Sequence, residues 1–282
     1  MIDKIDSAAK GKWTDLGIRS LSSAILIPVV LADVWMGGVW FVVLATLLGV
    51  LVAYEWSVIA SPGDELQFAL LAFAAIIAGI LPANAGLATS LIALAIVAAL
   101  AFMRGRLPVA GATFWSEVGA LYVGLPILAL VMLRNDDDFG ALAIIWVMVI
   151  VWAADILAYF AGRLIGGPKM APVLSPKKTW AGLGGAIVGA GVASFVFAWV
   201  VSPGRVWPLV AMASLLAVLE QGGDIFESAL KRAHGIKDSG DLIPGHGGII
   251  DRVDGLIVVA VAAWIVGLLR NGVSPAKGLL LW

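Results

Sequence analysis

The chain has 282 residues, of which 61% are hydrophobic and 13% charged, with a mean hydropathy of +1.02 and a formal net charge of −1. That composition argues against a water-soluble domain and for a membrane protein, and the near-zero charge supplies no global field for nucleic acid. Without cysteine and with two histidines, the chain lacks the means for disulfides, thiolate metal centres or a conventional structural zinc site.

Residues 1–19 mix charges, lack a small-residue cleavage site and run straight into an apolar stretch, so they read as a retained cytoplasmic arm. Ile2, Ile5, Ala9 and Trp13 on one side would also suit a short surface helix. Nine apolar segments follow, near 20–34, 37–56, 66–82, 86–103, 117–133, 140–162, 181–201, 207–230 and 254–269. A hydrocarbon core of about 30 Å needs about 20 helical residues, which predicts an all-α polytopic protein with about nine transmembrane helices. The first two segments are separated only by Asp33 and the MGG at 36–38, so eight spans also fit. The expected organisation is the arm, 1–19, and a single transmembrane domain, 20–282, whose C-terminal half, 140–269, bears the motifs.

With the N-terminus inside, 14 of the 18 Lys and Arg residues fall on the cytoplasmic side, as the positive-inside rule requires. Trp35, Trp56, Trp115, Trp207 and Trp264 lie near span ends and read as interfacial anchors. GLGGAIVGAGVAS at 182–194 reads as a close-packing helix face, since a spanning helix offers no strand–turn–helix setting for a nucleotide loop.

Polar residues then interrupt the apolar pattern. In the eighth segment Glu220, Asp224, Glu227, Ser228 and Lys231 recur every three or four residues and so share one helical face. Charge inside a bilayer is costly, which places Glu220 and Asp224 in a lined cavity; from Ser228 onward, a helix end emerging into water fits equally well. Asp155, deep in the sixth segment with Tyr159 one turn later, suits either a cavity or a structural pair. Glu55 and Glu117 read as ordinary charges at span ends.

Asp224, Asp251 and Asp254 are hard oxygen donors bracketing Lys231, Arg232, Lys237 and Arg252. Carboxylates suit a Mg²⁺-type ion and the cations suit an anion, so together they suggest phosphate held by cations and a metal, the requirement of phosphoryl transfer. PGHGG at 244–248 lets backbone approach a ligand closely. A second basic stretch, LSPKKTWAG at 174–182, opens the seventh span on the same side, with Ser175 and Pro176 as an expected helix start.

The run SALKRAHGIKDSGDLIPGHGGIIDRVD, Ser228 to Asp254, resembles the signature of the phosphatidate cytidylyltransferases, or CDP-diacylglycerol synthases. It matches at Ser228, Lys231, Arg232, Lys237, Asp238, Gly240, Pro244, His246, Gly247, Gly248, Asp251, Arg252 and Asp254, with SPKKTWAG and DILAYFAGR similar upstream. The resemblance implies cytidylyl transfer from CTP to phosphatidate in the membrane, in a homodimer that depends on Mg²⁺ and, as a further candidate, K⁺. It implies a metal on Asp224 and Asp251, in a polar cavity open to the cytoplasm; the compact chain, without long extensions, suggests a bacterial inner membrane. The catalytic set expected is Asp224, Asp251, Lys231, Arg232, Lys237 and Arg252. Ser175, Lys177, Lys178, Ser228, Asp238, His246, Gly247, Gly248 and Asp254 are expected to bind substrate.

Two alternatives fit parts of the pattern. An ion-coupled transporter would use Asp155, Glu220 and Asp224 as a pathway, but no inverted repeat is visible. A CDP-alcohol phosphatidyltransferase needs a D-G-x-x-A-R motif, and DRVDGLIVVA contains Asp254–Gly255 without the A-R.

Overall fold

A computed structural model describes residues 22, 24–107, 114–201, 205–240, 242 and 247–282. Within them seven helices are long and apolar enough to cross a membrane, which bears out the all-α polytopic class, although about nine spans were expected. A short α1 (Ala24–Met36) precedes α2 (Gly38–Ala60), α3 (Glu65–Gly105), α4 (Phe114–Arg134) and α5 (Gly140–Leu164). An antiparallel hairpin of β1 (Lys169–Ala171) and β2 (Ser175–Thr179) leads to α6 (Trp180–Val201), α7 (Val206–Ala233), α8 (Ile250–Arg270) and the small α9 (Pro275–Leu280). At about 20 Å, α1 is too short to cross alone; it stands where the first segment was expected.

As a straight rod, the 41 residues of α3 would reach about 60 Å, twice the hydrocarbon core. It doubles back instead. Asp64, which caps its start by accepting the Gln67 N–H, lies 3.1 Å from Arg104 in its last turn. The reversal falls at Gly86, whose φ of 78° and ψ of 171° are open to glycine and strained for other residues. The segments expected at 66–82 and 86–103 are thus two limbs of one element, and the described helices make eight crossings. Burial disfavours charge on Asp64, but the Arg104 guanidinium and the Gln67 N–H outweigh it and hold this carboxyl below the ordinary aspartate range.

Contacts between helix ends define two faces. On one, Asp64 meets Arg104, and the α2–α3, α5–α6 and α7–α8 connections lie together. On the other, Arg134 donates to the carbonyl of Val34 at 2.7 Å and Ser274 bonds Asp136. Arg104, Arg106, Arg163, Lys169, Lys177, Lys178, Lys231, Arg232, Lys237 and Arg252 belong to the first face. Arg134, Arg205, Arg270 and Lys277 belong to the second.

The glycine face of α6 meets α5 at very short range: a Cβ on Gly189 would stand 2.5 Å from the Ala153 carbonyl oxygen. Close packing is therefore its role. Two expectations fail. Ser175 and Pro176 do not start a helix; they lie in β2, and α6 begins at Trp180, with the Thr179 hydroxyl accepting the Gly182 N–H. Trp56 and Trp264 are buried at 1% and 4% exposure, so they are packing residues, whereas Trp35 and Trp207 are exposed as anchors should be. Trp56 lies against Tyr122 and Phe226 and donates to the Trp115 carbonyl, which explains its burial at a span end.

Candidate active site

The polar face of α7 forms one wall of the site. Glu220 and Glu227 are buried, while Asp224, Ser228 and Lys231 are partly exposed. Opposite it, α8 comes very close, because Gly223 and Gly255 have no side chains: a Cβ on Gly255 would lie 2.8 Å from Glu220 Cγ. This crossing sets Asp254 beside Asp224 and Glu227.

Two ammonium–carboxylate centres result. In one, Lys178 Nζ reaches from β2 to bond Asp224, and also donates to Gln221 Oε1 at 3.0 Å. Strand alternation leaves Lys177 exposed beside it. In the other, Lys231 Nζ lies 2.6 Å from Asp251 Oδ1 and 2.7 Å from Glu227 Oε1. Asp251 Oδ2 accepts the Ser239 N–H at 3.0 Å. Glu227 stands beside Asp251, so the two centres adjoin through Glu227 and Asp254.

Asp155 joins the first centre from α5. One carboxylate oxygen each from Asp155, Glu220 and Asp224 lies within 4.8 Å of the others, which makes this group able to hold a metal ion. Its chemistry suits a hard cation, since all three donors are oxygen. Glu220 Oε1 is buried with no hydrogen-bond partner, an orphaned acceptor that a cation would satisfy. Asp251, the other expected metal ligand, is not in that group and faces Lys231 instead.

Of the remaining expected residues, Arg232 is exposed and donates to the Ile236 carbonyl at 2.7 Å, closing the turn after α7. Lys237, Asp238 and Arg252 are exposed, and Gly247 and Gly248 lead into α8. Ser175 pairs with Ala171 in the hairpin. His246, with Pro244 and Gly245, lies outside the described residues.

Sequence reasoning missed four participants. Glu55 of α2 is not a surface charge: at 2% exposure it accepts the Ile249 and Ile250 N–H groups and the Ser239 hydroxyl. Gln221 binds Lys178, and Ser239 binds Asp251. Tyr122 of α4 places a buried hydroxyl near the carboxylates of Asp254, Glu227, Asp224 and Asp251. Below it runs an apolar groove of about 360 Å³ between α4, α7 and α8, lined by Leu121, Tyr122, Leu125, Phe226, Val258 and Ile265 among others.

Helices that cross a membrane, carrying a cluster of carboxylates and ammonium groups at one face, define a polytopic membrane protein built to handle charged ligands beside the bilayer. Comparison with known proteins narrows that class. The sequence matches the cytidylyltransferase family over residues 17–269, and the chain belongs to that family. It is 36% identical over 261 residues to the phosphatidate cytidylyltransferase of Brucella abortus, covering 90% of this chain and 94% of that protein. The phosphatidate cytidylyltransferase of Staphylococcus haemolyticus is 31% identical over 257 residues, covering 86% and 95%. That of Bacillus subtilis is 40% identical over 151 residues, covering 51% of this chain and 56% of its own length.

Proposed function

We propose that this protein transfers the cytidylyl group of CTP to phosphatidate, giving CDP-diacylglycerol and pyrophosphate. The observation that carries the reading is the pair of adjoining lysine–carboxylate centres, Lys178–Asp224 and Lys231–Asp251, in a membrane protein of the cytidylyltransferase family. One substrate is a lipid whose phosphate lies at headgroup level and the other a soluble polyanion. A cluster at the end of the spanning helices suits both, and the apolar groove under Tyr122 suits an acyl chain.

A phosphate oxygen of phosphatidate attacks the α-phosphorus of CTP in line. The new P–O bond forms as the bond between the α-phosphorus and the bridging oxygen breaks, and pyrophosphate leaves with that electron pair. The acceptor is already an anion, so no covalent enzyme intermediate is needed. The chain's task is then positioning and charge neutralisation. Lys231, Arg232, Lys237 and Arg252 neutralise phosphates, and Lys177 and Lys178 supplement them from the hairpin. Ser175, Ser228, Asp238, His246, Gly247, Gly248 and Asp254 complete the substrate contacts. Asp224 and Asp251 would hold the metal, with Asp155 and Glu220 beside Asp224 as further oxygen donors; Asp251 faces Lys231 and would have to turn from it to join them. At these carboxylates Mg²⁺ would supply positive charge against the phosphates, and K⁺ is the candidate second ion.

The charge asymmetry of the two faces supports a bacterial inner-membrane protein with this site in the cytoplasm and residues 20–282 acting as one catalytic domain; placing the arm, 1–19, on that side as well requires a ninth crossing between it and α2. The functional unit is proposed to be a homodimer. Purified protein with radiolabelled CTP, phosphatidate and Mg²⁺ should place label in the lipid phase. Chelation should stop this and added Mg²⁺ restore it. Asp224→Ala and Asp251→Ala should each lower the rate at least about 100-fold while remaining folded. Absence of lipid-phase label with the unaltered protein would refute the activity; full turnover in either variant would refute only the metal assignment.

A further inference from the structure

We infer that Glu55 is a positioning residue of this site, fixing the first turn of α8 and, through Ser239, the carboxylate of Asp251. The inference rests on the proposed reaction and extends it to the N-terminal half of the chain, where sequence alone offers no motif.

The first turn of a helix leaves N–H groups without partners, and a residue at its start usually supplies an oxygen. In α8 that position is Ile249, which has no such oxygen, and no side-chain cap from the helix itself is made. Glu55 supplies both oxygens from α2, accepting the Ile249 N–H at 2.8 Å and the Ile250 N–H at 2.9 Å, across 194 and 195 residues of sequence. The backbone on the N-terminal side of Asp251 is therefore held by a carboxylate from another helix. A negative charge at this end also suits the helix dipole.

The second link runs through Ser239. Its hydroxyl lies 3.0 Å from Glu55 Oε2 and 3.1 Å from Asp251 Oδ2. A hydroxyl has one proton to donate, and Asp251 Oδ2 already accepts the Ser239 N–H at 3.0 Å. Donation of the hydroxyl to Glu55 therefore satisfies both carboxylates. Asp251 Oδ1 is left to Lys231 at 2.6 Å. Glu55 thus holds Asp251 from two sides, by the helix that carries it and by the serine that binds it, while touching no substrate.

Two glycines of the signature fit this arrangement. A Cβ on Gly248 would stand 1.8 Å from Ser239 Oγ and 2.9 Å from Glu55 Oε2; one on Gly240 would stand 3.0 Å from Glu55 Oε1. Both glycines leave room for the Glu55 carboxylate. At 2% exposure that carboxylate is enclosed by the loop it organises.

Glu55→Gln tests the role, because it replaces one acceptor oxygen with a donor and leaves Ile249 or Ile250 N–H facing an NH₂ group. In lipid nanodiscs, the variant should lower kcat about 10- to 100-fold, the range typical of a residue that orients a metal ligand, with KM for CTP little changed. Glu55→Asp, which keeps both oxygens, should recover part of the loss. Hydrogen exchange at the amides of 249–251 should rise in Glu55→Gln. Ser239→Ala should lower kcat less, and the double variant should lose no more than Glu55→Gln alone, since both act on Asp251 along one route. Wild-type kcat in Glu55→Gln, or multiplying losses in the double variant, would overturn the inference. Should Glu55→Gln fail to accumulate, Ser239→Ala decides: reduced kcat supports the inference and full kcat overturns it. Should the unaltered protein transfer no label, the proposed reaction fails by itself, and exchange at 249–251 still shows whether Glu55 holds the loop.

Discussion

Replacing Lys231 with Met would remove the cation from between two carboxylates while keeping most of its volume. Lys231 is 12% exposed at its side chain, and it serves Glu227, 2% exposed, at 2.7 Å and Asp251, 14% exposed, at 2.6 Å. The charge-assisted hydrogen bond to Asp251 is worth about 1.5–3 kcal/mol, and the ion pair with buried Glu227 adds to it. Removal of one partner from a buried ion pair costs about 3–5 kcal/mol, which is the loss expected. For a chain of this size each kcal/mol shifts Tm by roughly 2–4 °C, so Lys231→Met should lower Tm by about 6–20 °C. Static-light-scattering melts in detergent would read this. The second arm separates charge from shape: Lys231→Met with Glu227→Gln removes one of the facing carboxylates and should restore most of the stability without restoring turnover. A melting temperature for Lys231→Met within about 2 °C of wild type would refute the reasoning, as would no recovery in the double variant.

Further outcomes follow from the packing. The Asp64 carboxyl sits below its ordinary range when folded, so its stabilising contribution is complete above the ordinary aspartate pKa of about 3.9 and is lost as pH falls through the lower folded value. Arg104→Gln should flatten the dependence of Tm on pH in that acid window and leave it unchanged near neutrality; an unaltered acid slope would count against the pair. Gly86→Ala places a Cβ at a positive φ and should cost about 1–2 kcal/mol, seen as a lower Tm with little change in KM; wild-type stability would contradict the turn. Gly189→Leu should push α5 from α6 and displace Asp155, lowering kcat about 100-fold if the shift reaches 1 Å; full activity would show that Asp155 is dispensable.

Much of this architecture was legible because hydropathy and local spacing report local physics. Runs of about 20 apolar residues have few other solutions, and the spacing from Glu220 to Lys231 predicted the polar helical face that α7 carries. Contacts between distant helices leave no such mark. Glu55 sits at a span end, where charge usually meets water, and nothing in AYEWSVIA says that α8 arrives without a cap of its own. Trp56 and Trp264 misled for the same reason, since proximity to an interface does not say which way a ring points. The helix-start reading of the Lys177–Lys178 stretch recognised its charge but not the strand that carries Lys178 to Asp224. Asp155 was visible as anomalous; its partners, on another helix, were not.

The reach of α2 into the signature bears on how far this protein can be dissected. Residues 140–269 hold every expected catalytic side chain, which invites their expression as a minimal unit. Such a truncation would leave α8 without the acceptor for its leading amides and a serine hydroxyl without its recipient, so the motif and its brace are inherited together.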